Sequence, residues 1–176
     1  KTKVYFGKGG VKEYLGCLLD HYGDTVMLAY GGGSIKRNGV YDQVMSILNV
    51  KGKRVVEFSG IMPNPTYAKV QEGARLAREN HVDLILAVGG GSVSDCCKVV
   101  SAQAKLSEDI WEMQYAKHTY PSEFIPLGTI VTVFGTGSEM NNGAVITHEE
   151  KKTKGALWGL RRNLPSWTPA TPCPSP

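Results

Sequence analysis

The sequence lacks several features that define common classes of protein. None of its four cysteines, Cys17, Cys96, Cys97 and Cys173, forms a C-x-x-C motif, which argues against a zinc knuckle or a disulfide framework and predicts free, mostly buried thiols. No apolar run is long enough to span a bilayer and no signal peptide is visible, so we expect a cytoplasmic protein without a membrane partner. No cluster of Lys and Arg is interleaved with aromatic residues, so nucleic acid is not an expected partner.

The four histidines also lack the spacing of a metal site. They are His21, His81, His118 and His148, and no two of them lie four residues apart, the spacing that places two imidazoles on one face of a helix. We therefore expect each of them on the surface. The 176 residues, with a formal net charge of +4, are otherwise typical of one soluble domain with its own core.

The most informative stretch runs from Leu84 to Asp95. Its apolar residues, without alternation, predict a strand buried on both faces, as in a parallel sheet covered by helices. Three glycines, Gly89 to Gly91, then let the backbone approach a ligand closely, and Ser92 is a candidate N-cap for a helix from Val93 to about Ala104. Strand, glycine turn and helix N-terminus favour a bound phosphate, although a tight turn without a ligand is the alternative from this stretch alone.

Two further glycine turns follow predicted strands. Gly31–Gly33 follows the strand Thr25–Tyr30, and Gly135–Glu139 follows the apolar run that begins at Val131. Strands that alternate with helices predict an α/β fold, a Rossmann-like, doubly wound and mainly parallel sheet with helices on both faces. Ligands bind such sheets outside the carboxyl ends of the strands, so three glycine turns there indicate a nucleotide site.

The remaining elements complete this pattern. Helices are expected at Val11–His21, Val40–Leu48 and Tyr67–Asn80, with a surface helical turn or two within Leu106–Tyr120. Strands are expected at Val4–Gly10, where the strand ends in a turn, at Arg54–Phe58, and at Phe124–Thr129, where Pro126 argues against a fully paired central position. Asn142-Gly143 is a hairpin-type dipeptide before the apolar residues 144–147.

Three motifs together resemble the iron-containing, group III metal-dependent alcohol dehydrogenases. They are Gly89–Asp95 (GGGSVSD), Gly60–Pro65 (GIMPNP) and Gly135–Glu139 (GTGSE). Tyr30–Lys36 (YGGGSIK) is similar to the NADPH-dependent butanol dehydrogenase branch of that family. The resemblance covers about Val4 to Gly159, and it implies the dehydroquinate synthase-like, dinucleotide-binding half of a family member.

The resemblance also implies which residues contact the dinucleotide. Grouped by the part of the cofactor, they are Gly90, Gly91 and Ser92 for the pyrophosphate, Asp95 near the nicotinamide ribose, Thr132, Thr136 and Ser138 on the adenine and ribose side, Lys154 for the ribose hydroxyls, and Asn141 as a further contact.

Three further residues bear on the choice of cofactor. Gly32, Gly33 and Ser34 stand where NAD-preferring relatives place an acidic residue, which would accept a hydrogen bond from a 2′-hydroxyl and repel a 2′-phosphate. Backbone N–H groups and a hydroxyl, with Lys36 or Arg37 nearby, suit that phosphate, so we expect NADP(H) to be preferred over NAD(H). Either cation alone could instead be a solvated loop charge.

Family members bind a divalent metal, iron or zinc, through one aspartate and three histidines of a helical carboxyl-terminal domain. The metal polarises the alcohol oxygen, so that hydride can pass to the nicotinamide. No histidine of this chain matches those ligands, so the resemblance implies cofactor binding here without turnover. The full-length enzyme would be a homodimer that interconverts small primary alcohols and aldehydes of the butanol type.

The last segment differs in composition from the rest. Residues 160–176 contain five of the nine prolines, Pro165, Pro169, Pro172, Pro174 and Pro176, which exclude a helix or a central strand. The residues from Asn163 onward are compatible with a set of codons that, when read in a frame shifted by one base, encodes Phe-Ala-Ile-Leu-Asp-Pro-Ser-Tyr-Thr. This resembles the strand that the family has at this position. We therefore expect a dinucleotide-binding domain over residues 1–159, a Pro-rich tail produced by a frameshift near Gly159, and no metal-binding domain.

Two other functions are compatible with the sequence. One is a nucleotide-binding fragment without catalysis. The other is an enzyme similar to glycerol-1-phosphate dehydrogenase or dehydroquinate synthase, which share the triple-glycine architecture, although the combination of motifs at Gly31 and Gly135 favours the alcohol branch.

Overall fold

The computed structural model describes residues 9–160 except residues 134 and 136. The predicted strand at Val4–Gly10 falls mostly outside this part of the chain. The helices are α1 (Gly10–Leu19), α2 (Ser34–Arg37), α3 (Val40–Val50), α4 (Tyr67–Glu79), α5 (Gly91–Gln103) and α6 (Ile110–Tyr115), and the strands are β1 (Thr25–Tyr30), β2 (Arg54–Phe58), β3 (Leu84–Gly89), β4 (Leu127–Val131), β5 (Ala144–His148) and β6 (Thr153–Leu157).

Four parallel strands form the main sheet in the order β2-β1-β3-β4. Their carboxyl ends lie at one edge, because Ala29 pairs with Phe58, Tyr30 pairs with Val88, and Gly89 pairs with Val131. This topology confirms the predicted Rossmann-like α/β fold, and it places the turns that follow β1, β2, β3 and β4 side by side.

Helices cover both faces of the sheet, as the apolar runs predict. On one face, Met27 and Ile85 belong to the same buried cluster as α4 and α5. On the other face, Val26 and Leu28 pack in a cluster with Leu15 of α1 and Val44 of α3. Because the central strands are buried on both faces, they carry no polar face, which explains their unbroken apolar sequences.

Helix α5 is the most enclosed helix of the described chain. It contacts the sheet, α4 and β5, and its buried residues are Val93, Ser94, Cys96, Cys97, Lys98, Val99, Val100, Ser101, Ala102 and Gln103. The helix is therefore held from several sides, and its first turn has a fixed position at the carboxyl edge of β3.

The strand predicted at Phe124–Thr129 begins later, at Leu127. Pro126 precedes the strand and contributes only its carbonyl, which accepts a 2.8 Å hydrogen bond from the Ile85 amide. Among the described residues β4 pairs with β3 alone, in agreement with the expected position away from the centre of the sheet.

A second, two-stranded antiparallel sheet is formed by β5 and β6. The hairpin predicted at Asn142-Gly143 is wrong: the turn lies at residues 149–152, where Lys152 has φ 47°. Asn142-Gly143 instead precedes β5, with the Gly143 amide bonded to Asn141 Oδ1 and the Asn142 carbonyl bonded to the Leu160 amide. Local turn propensity is thus overridden by tertiary hydrogen bonds.

The hairpin is attached to the loop before α4. Thr147 forms an isolated parallel bridge with Thr66, and its amide donates a 3.0 Å hydrogen bond to the Pro65 carbonyl. Within residues 9–160, no helix is both long and apolar enough to cross a membrane.

Candidate dinucleotide site

The glycine turns after β1 and β3 meet at the start of α5. A Cβ atom on Gly31 would lie 3.0 Å from the Ile61 carbonyl oxygen, and one on Gly89 would lie 2.7 Å from Val93 Cγ2. The Gly60 amide also donates a 3.0 Å hydrogen bond to the Gly31 carbonyl. These close contacts leave no room for side chains, so the glycines let three loops approach one another at the predicted ligand edge.

The first turn of α5 corrects one prediction. Ser92 is not the N-cap: the cap position is Gly90, which has no side chain, and the helix begins at Gly91. The first N–H groups of a helix have no intrahelical acceptor and attract anions. Since α5 extends from Gly91 to Gln103, those N–H groups face the same edge as the glycine turns.

An open groove of about 450 Å³ lies beside this helix terminus. Six residues expected to contact the dinucleotide line it, namely Gly91, Ser92, Asp95, Ser138, Asn141 and Lys154. The rest of the lining is Asn64, Pro65, Gly143, Ala144, Val145, Ala156 and Trp158. Residues as far apart in the sequence as Asn64 and Trp158 thus form one surface.

Lys154 crosses the groove. It is exposed on β6, and its Nζ donates a 2.6 Å hydrogen bond to Asn64 Oδ1 in the loop after β2. The ammonium therefore lies within the groove, with donors available to a polar ligand.

Asp95 and its neighbours form the inner wall of the groove. Asp95 accepts a hydrogen bond from the Ser138 hydroxyl on Oδ1, and one of 3.0 Å from the Val145 amide on Oδ2. Lys98, which sequence analysis missed, places its Nζ 3.4 Å from Asp95 Oδ1. Asp95 is therefore bonded to protein groups through both of its oxygens while it lines the groove.

The other predicted contacts that the structure describes lie along the same edge but outside the groove lining. Gly90 follows β3, and a Cβ there would lie 3.8 Å from Val133 Cβ. Thr132 follows β4, and its amide donates a 3.0 Å hydrogen bond to the Gly89 carbonyl. Gly32, Gly33 and Ser34 are exposed after β1, and Thr136 lies outside the described residues.

The two cations near Gly33 have different environments. Lys36 is not a simple solvated charge, because its Nζ lies 4.7 Å from the Tyr41 ring centroid and 5.5 Å from that of Tyr30. Arg37 has no ion pair or hydrogen bond among the described residues, and its Nη1 lies 3.2 Å from where a Cβ on Gly33 would be. Arg37 is therefore the cation that remains available beside the Gly32–Ser34 turn.

The negative charge of the Glu57 carboxylate interacts with the positive charge of Lys36. Glu57, in β2, accepts hydrogen bonds from the hydroxyls of Tyr41 and Tyr30. The Tyr41 bond, followed by the Tyr30 bond and the Lys36 charge, lowers the pKa of Glu57 despite a contrary effect of burial. The same bond to Glu57 raises the pKa of Tyr41 to about 12.

The histidine prediction is wrong for one residue. His21, His81 and His118 are exposed, but His148 is buried and its ring stacks on Tyr67 at 4.6 Å between centroids. Its strand position faces the interior, next to Trp111, which a count of histidine spacings could not show. Within the described residues, no three His, Cys, Asp or Glu side chains are grouped to hold a metal ion.

The three cysteines within the described chain are free, as predicted. Burial raises the pKa of Cys96 to about 12 and that of Cys97 well above its ordinary value. Burial therefore favours the protonated form of both thiols at neutral pH, and a protonated thiol is a poor nucleophile.

Two elements that support the groove wall, Lys98 and helix α6, were not predicted to do so from the sequence. Lys98 carries one signal in the sequence, its position three residues after Asp95, which places both side chains on one face of α5. The supporting role of helix α6 has almost no signal in the sequence, because residues 106–120 have no clear period. In the structure, Gln114 of α6 is hydrogen-bonded to Trp158 in the groove wall.

Comparison with known proteins gives one consistent relationship. The chain matches the family model of the iron-containing alcohol dehydrogenases over residues 1–168. It is 47% identical to the probable NADH-dependent butanol dehydrogenase 1 of Bacillus subtilis, over 95% of this chain and 42% of that protein. It is 42% identical to the NADPH-dependent aldehyde reductase YqhD of Escherichia coli, over 89% of this chain and 40% of that protein.

A solved structure agrees. The crystal structure of the NADH-dependent butanol dehydrogenase A of Thermotoga maritima superposes with a TM-score of 0.86 and 38% identity, over 94% of this chain and 42% of that one. The chain thus spans less than half the length of these relatives. By its sequence and its fold, the chain belongs to the iron-containing alcohol dehydrogenase family.

Proposed function

We propose that the chain is the dinucleotide-binding part of an NADP(H)-dependent, metal-dependent alcohol dehydrogenase that interconverts small primary alcohols and aldehydes. The observation that carries the proposal is the convergence of six expected dinucleotide contacts in one groove beside the N-terminus of α5. The nicotinamide, when bound, supplies the hydride acceptor or donor. The chain's own residues bind and orient the cofactor.

Each part of the groove suits a different part of a dinucleotide. The amino end of α5, with Gly91 and Ser92, suits the pyrophosphate. Lys154, whose Nζ is hydrogen-bonded to Asn64 across the groove, is proposed to donate to ribose hydroxyls. Thr136 is proposed as an adenine-side contact together with Thr132.

The preference for NADP(H) is supported by the turn after β1. Gly32, Gly33 and Ser34 carry no acid, and Arg37 is unpaired among the described residues beside Gly33. A 2′-phosphate there would meet a guanidinium without a competing carboxylate. Relatives named for NADH and for NADPH are both similar to this chain, so their names do not decide the choice.

The binding proposal is tested by titrating the chain with NADPH and following the fluorescence of the reduced nicotinamide. Lys154→Met is expected to weaken NADPH binding by about tenfold, the effect of losing one charge-assisted hydrogen bond. The matched control is Lys152→Met, which removes the same charge from the exposed hairpin turn. Failure of the unmodified chain to bind either dinucleotide would refute the proposed function.

The cofactor preference has a separate test. NADH is added as a competitor against bound NADPH, and NADPH is expected to bind more tightly. Equal or tighter binding of NADH would refute the preference while leaving dinucleotide binding intact.

The divalent metal, iron or zinc, is not accommodated by the described residues, which offer no group of three suitable ligands. We infer that residues of the full-length enzyme outside this chain supply them, and that the chain alone does not reduce butyraldehyde. Joining the chain to the carboxyl-terminal half of a relative distinguishes two hypotheses. A fragment of an enzyme would gain turnover in the fusion, whereas a nucleotide-binding module would not. That the full-length enzyme is a cytoplasmic homodimer stays a prediction. A mass measurement tests the oligomeric state, and cell fractionation tests the location.

We also infer that residues 160–176 depart from the family sequence through a frameshift near Gly159. The support is their proline content, together with the existence of a codon choice for these residues in which a single-base shift encodes the family's strand. Resequencing the DNA around that codon tests the inference. An unbroken frame that encodes the Pro-rich segment would exclude it.

A further inference from the structure

Lys98 is a charged side chain in the interior of the domain. The residue is 2% exposed, in the middle of α5. Its Nζ lies 2.9 Å from Ser138 Oγ, 2.9 Å from Asn141 Oδ1 and 2.6 Å from the Gly143 carbonyl oxygen. The Asp95 carboxylate, 3.4 Å away, supplies the opposite charge.

Such a position is strongly unfavourable without partners, because burial removes the hydration of an ammonium. An ammonium has three donors, and here they converge on oxygen atoms of side chains and backbone. Ser138, Asn141 and Gly143, together with the charge of Asp95, therefore offset part of the cost of burying Nζ.

The acceptors belong to a segment without a sheet or helix ladder. Residues 138–143 lie between β4 and β5 as turns and bends. Their side chains form part of the groove wall, and three expected dinucleotide contacts, Asp95, Ser138 and Asn141, each interact with Lys98 Nζ. One ammonium therefore contacts three of the groups that line the groove.

Asp95 extends the same connection to the hairpin. Its Oδ1 accepts from the Ser138 hydroxyl, and its Oδ2 accepts from the Val145 amide of β5. Asn141 Oδ1 accepts from both Lys98 Nζ and the Gly143 amide, which fixes the orientation of the Asn141 amide. The wall from Ser138 to Val145 is thus attached to α5 by two side chains one helical turn apart.

We propose that Lys98 is the positioning residue of the dinucleotide groove: its buried ammonium holds the wall of residues 138–145 against α5 in the geometry that accepts the cofactor. The proposal rests on the proposed function for its ligand, but the position of the wall can be measured without one. Lys98 acts through Asp95, Ser138 and Asn141 and needs no contact with the dinucleotide.

Lys98→Met tests the proposal, with Gln103→Met as the matched control. Gln103 lies on the same helix, is 4% exposed, and is hydrogen-bonded to the Ile110 amide and the Glu108 carbonyl, away from the groove. Both changes remove buried hydrogen bonds from α5, but only Lys98→Met removes them from the groove wall.

Two measurements are made on the chain and both variants. Hydrogen exchange should accelerate at least tenfold for amides of residues 138–145 in Lys98→Met, whereas Gln103→Met should leave them unchanged. NADPH affinity should fall at least tenfold in Lys98→Met and stay within twofold in Gln103→Met. If Lys98→Met does not fold, as judged by near-UV circular dichroism, Lys98→Gln, which keeps donors at shorter reach, replaces it.

Each outcome is decisive. Unchanged exchange over 138–145 in the folded Lys98 variant overturns the proposal, whether or not the chain binds dinucleotides. Equal loss of affinity in both variants overturns it as well, because it would reflect stability alone. A chain that binds no dinucleotide, but whose wall loosens in Lys98→Met, refutes the proposed function while supporting the role of Lys98 in holding the wall.

Discussion

Gln114 and Trp158 exchange two hydrogen bonds of 2.8 Å, with Gln114 Nε2 donating to the Trp158 carbonyl and the Trp158 amide donating to Gln114 Oε1. Helix α6 is thereby joined to the residue that follows β6. Tyr115 adds a 3.0 Å hydrogen bond from its hydroxyl to the Ala156 carbonyl. Since Ala156 and Trp158 line the groove, this short helix supports the groove wall from outside the main sheet.

Removing the Gln114 amide should lower the free energy of unfolding. Gln114→Ala loses both bonds to Trp158, and at about 0.5–1.5 kcal/mol for each bond at a partly exposed site we expect a loss of about 1–2 kcal/mol in urea unfolding. Gln43→Ala on α3, whose side chain has no hydrogen bond among the described residues, should change stability by less than about 0.5 kcal/mol. Equal effects would contradict the support assigned to α6.

Gly73 should not tolerate alanine although it lies within a helix. A Cβ there would lie 2.7 Å from Phe58 Cζ and 2.8 Å from Val100 Cγ2, where α4 packs on the sheet and on α5. Overpacking costs about 1–3 kcal/mol and alanine gains about 1 kcal/mol in helix propensity, so we expect Gly73→Ala to destabilise the chain by up to about 2 kcal/mol.

Gly16 provides the comparison, because it lies within α1 and its Cβ would lie 3.3 Å from the flexible end of Lys51 and 4.0 Å, an ordinary contact distance, from Ile47 Cγ2. Gly16→Ala should therefore be neutral or stabilising in thermal unfolding. If both alanine variants are stabilised alike, the packing of α4 against Phe58 and Val100 is looser than described.

A carboxylate at position 33 should reverse the proposed cofactor preference. Gly33→Asp would place its side chain against the Arg37 guanidinium and present a negative charge to a 2′-phosphate. We expect NADPH affinity to fall by about tenfold or more while NADH affinity is retained, as judged by paired fluorescence titrations. Asn38→Asp, which adds the same charge just after α2 and keeps an acceptor for the Val40 amide, controls for net charge. A parallel loss in both variants would argue against a specific role of Gly33.

The Glu57 cluster predicts a dependence of stability on pH at both extremes. The pKa of Glu57 is lowered in the folded chain, so its stabilising contribution is present above the ordinary value of 4.5 and is lost as the pH falls through the folded pKa. The pKa of Tyr41 is raised to about 12 from 10.0, so that contribution is present below pH 10 and is lost as the pH rises through about 12.

Glu57→Gln should therefore flatten the stability profile in both windows, as measured by urea unfolding at a series of pH values. Glu79→Gln is the control, since Glu79 is exposed on α4 and has no hydrogen bond or ion pair among the described residues. An unchanged acid limb in Glu57→Gln would show that the tyrosine hydrogen bonds do not contribute.

The two central strands, β1 and β3, were predictable because they are apolar runs that end at or just before glycine. The bounds of β1 and β2 agree with the prediction, since Tyr30 and Phe58 are followed within two residues by such breaks. The groove was predictable in part, because the family motifs fall at the ends of these strands.

The errors arose where tertiary contacts override local pattern. Asn142-Gly143 has the composition of a hairpin turn, but Asn141, Lys98 and Leu160 bind its backbone instead. Lys98 has the appearance of an ordinary solvated helix lysine, and nothing in its own neighbourhood in the sequence indicates that Ser138 and Gly143 surround it. His148 is buried because its ring fits between Tyr67 and Trp111, far from it along the chain.

The strand order has a consequence for the nascent chain. Strand β1 lies between β2 and β3, so one of its edges stays unpaired until the ribosome has added Leu84 to Gly89. During that interval, residues 25–30 expose apolar side chains on both faces and a free backbone edge, the features that promote misassociation of incomplete chains. The period of synthesis between Tyr30 and Gly89 is therefore when a chaperone would protect this domain most effectively.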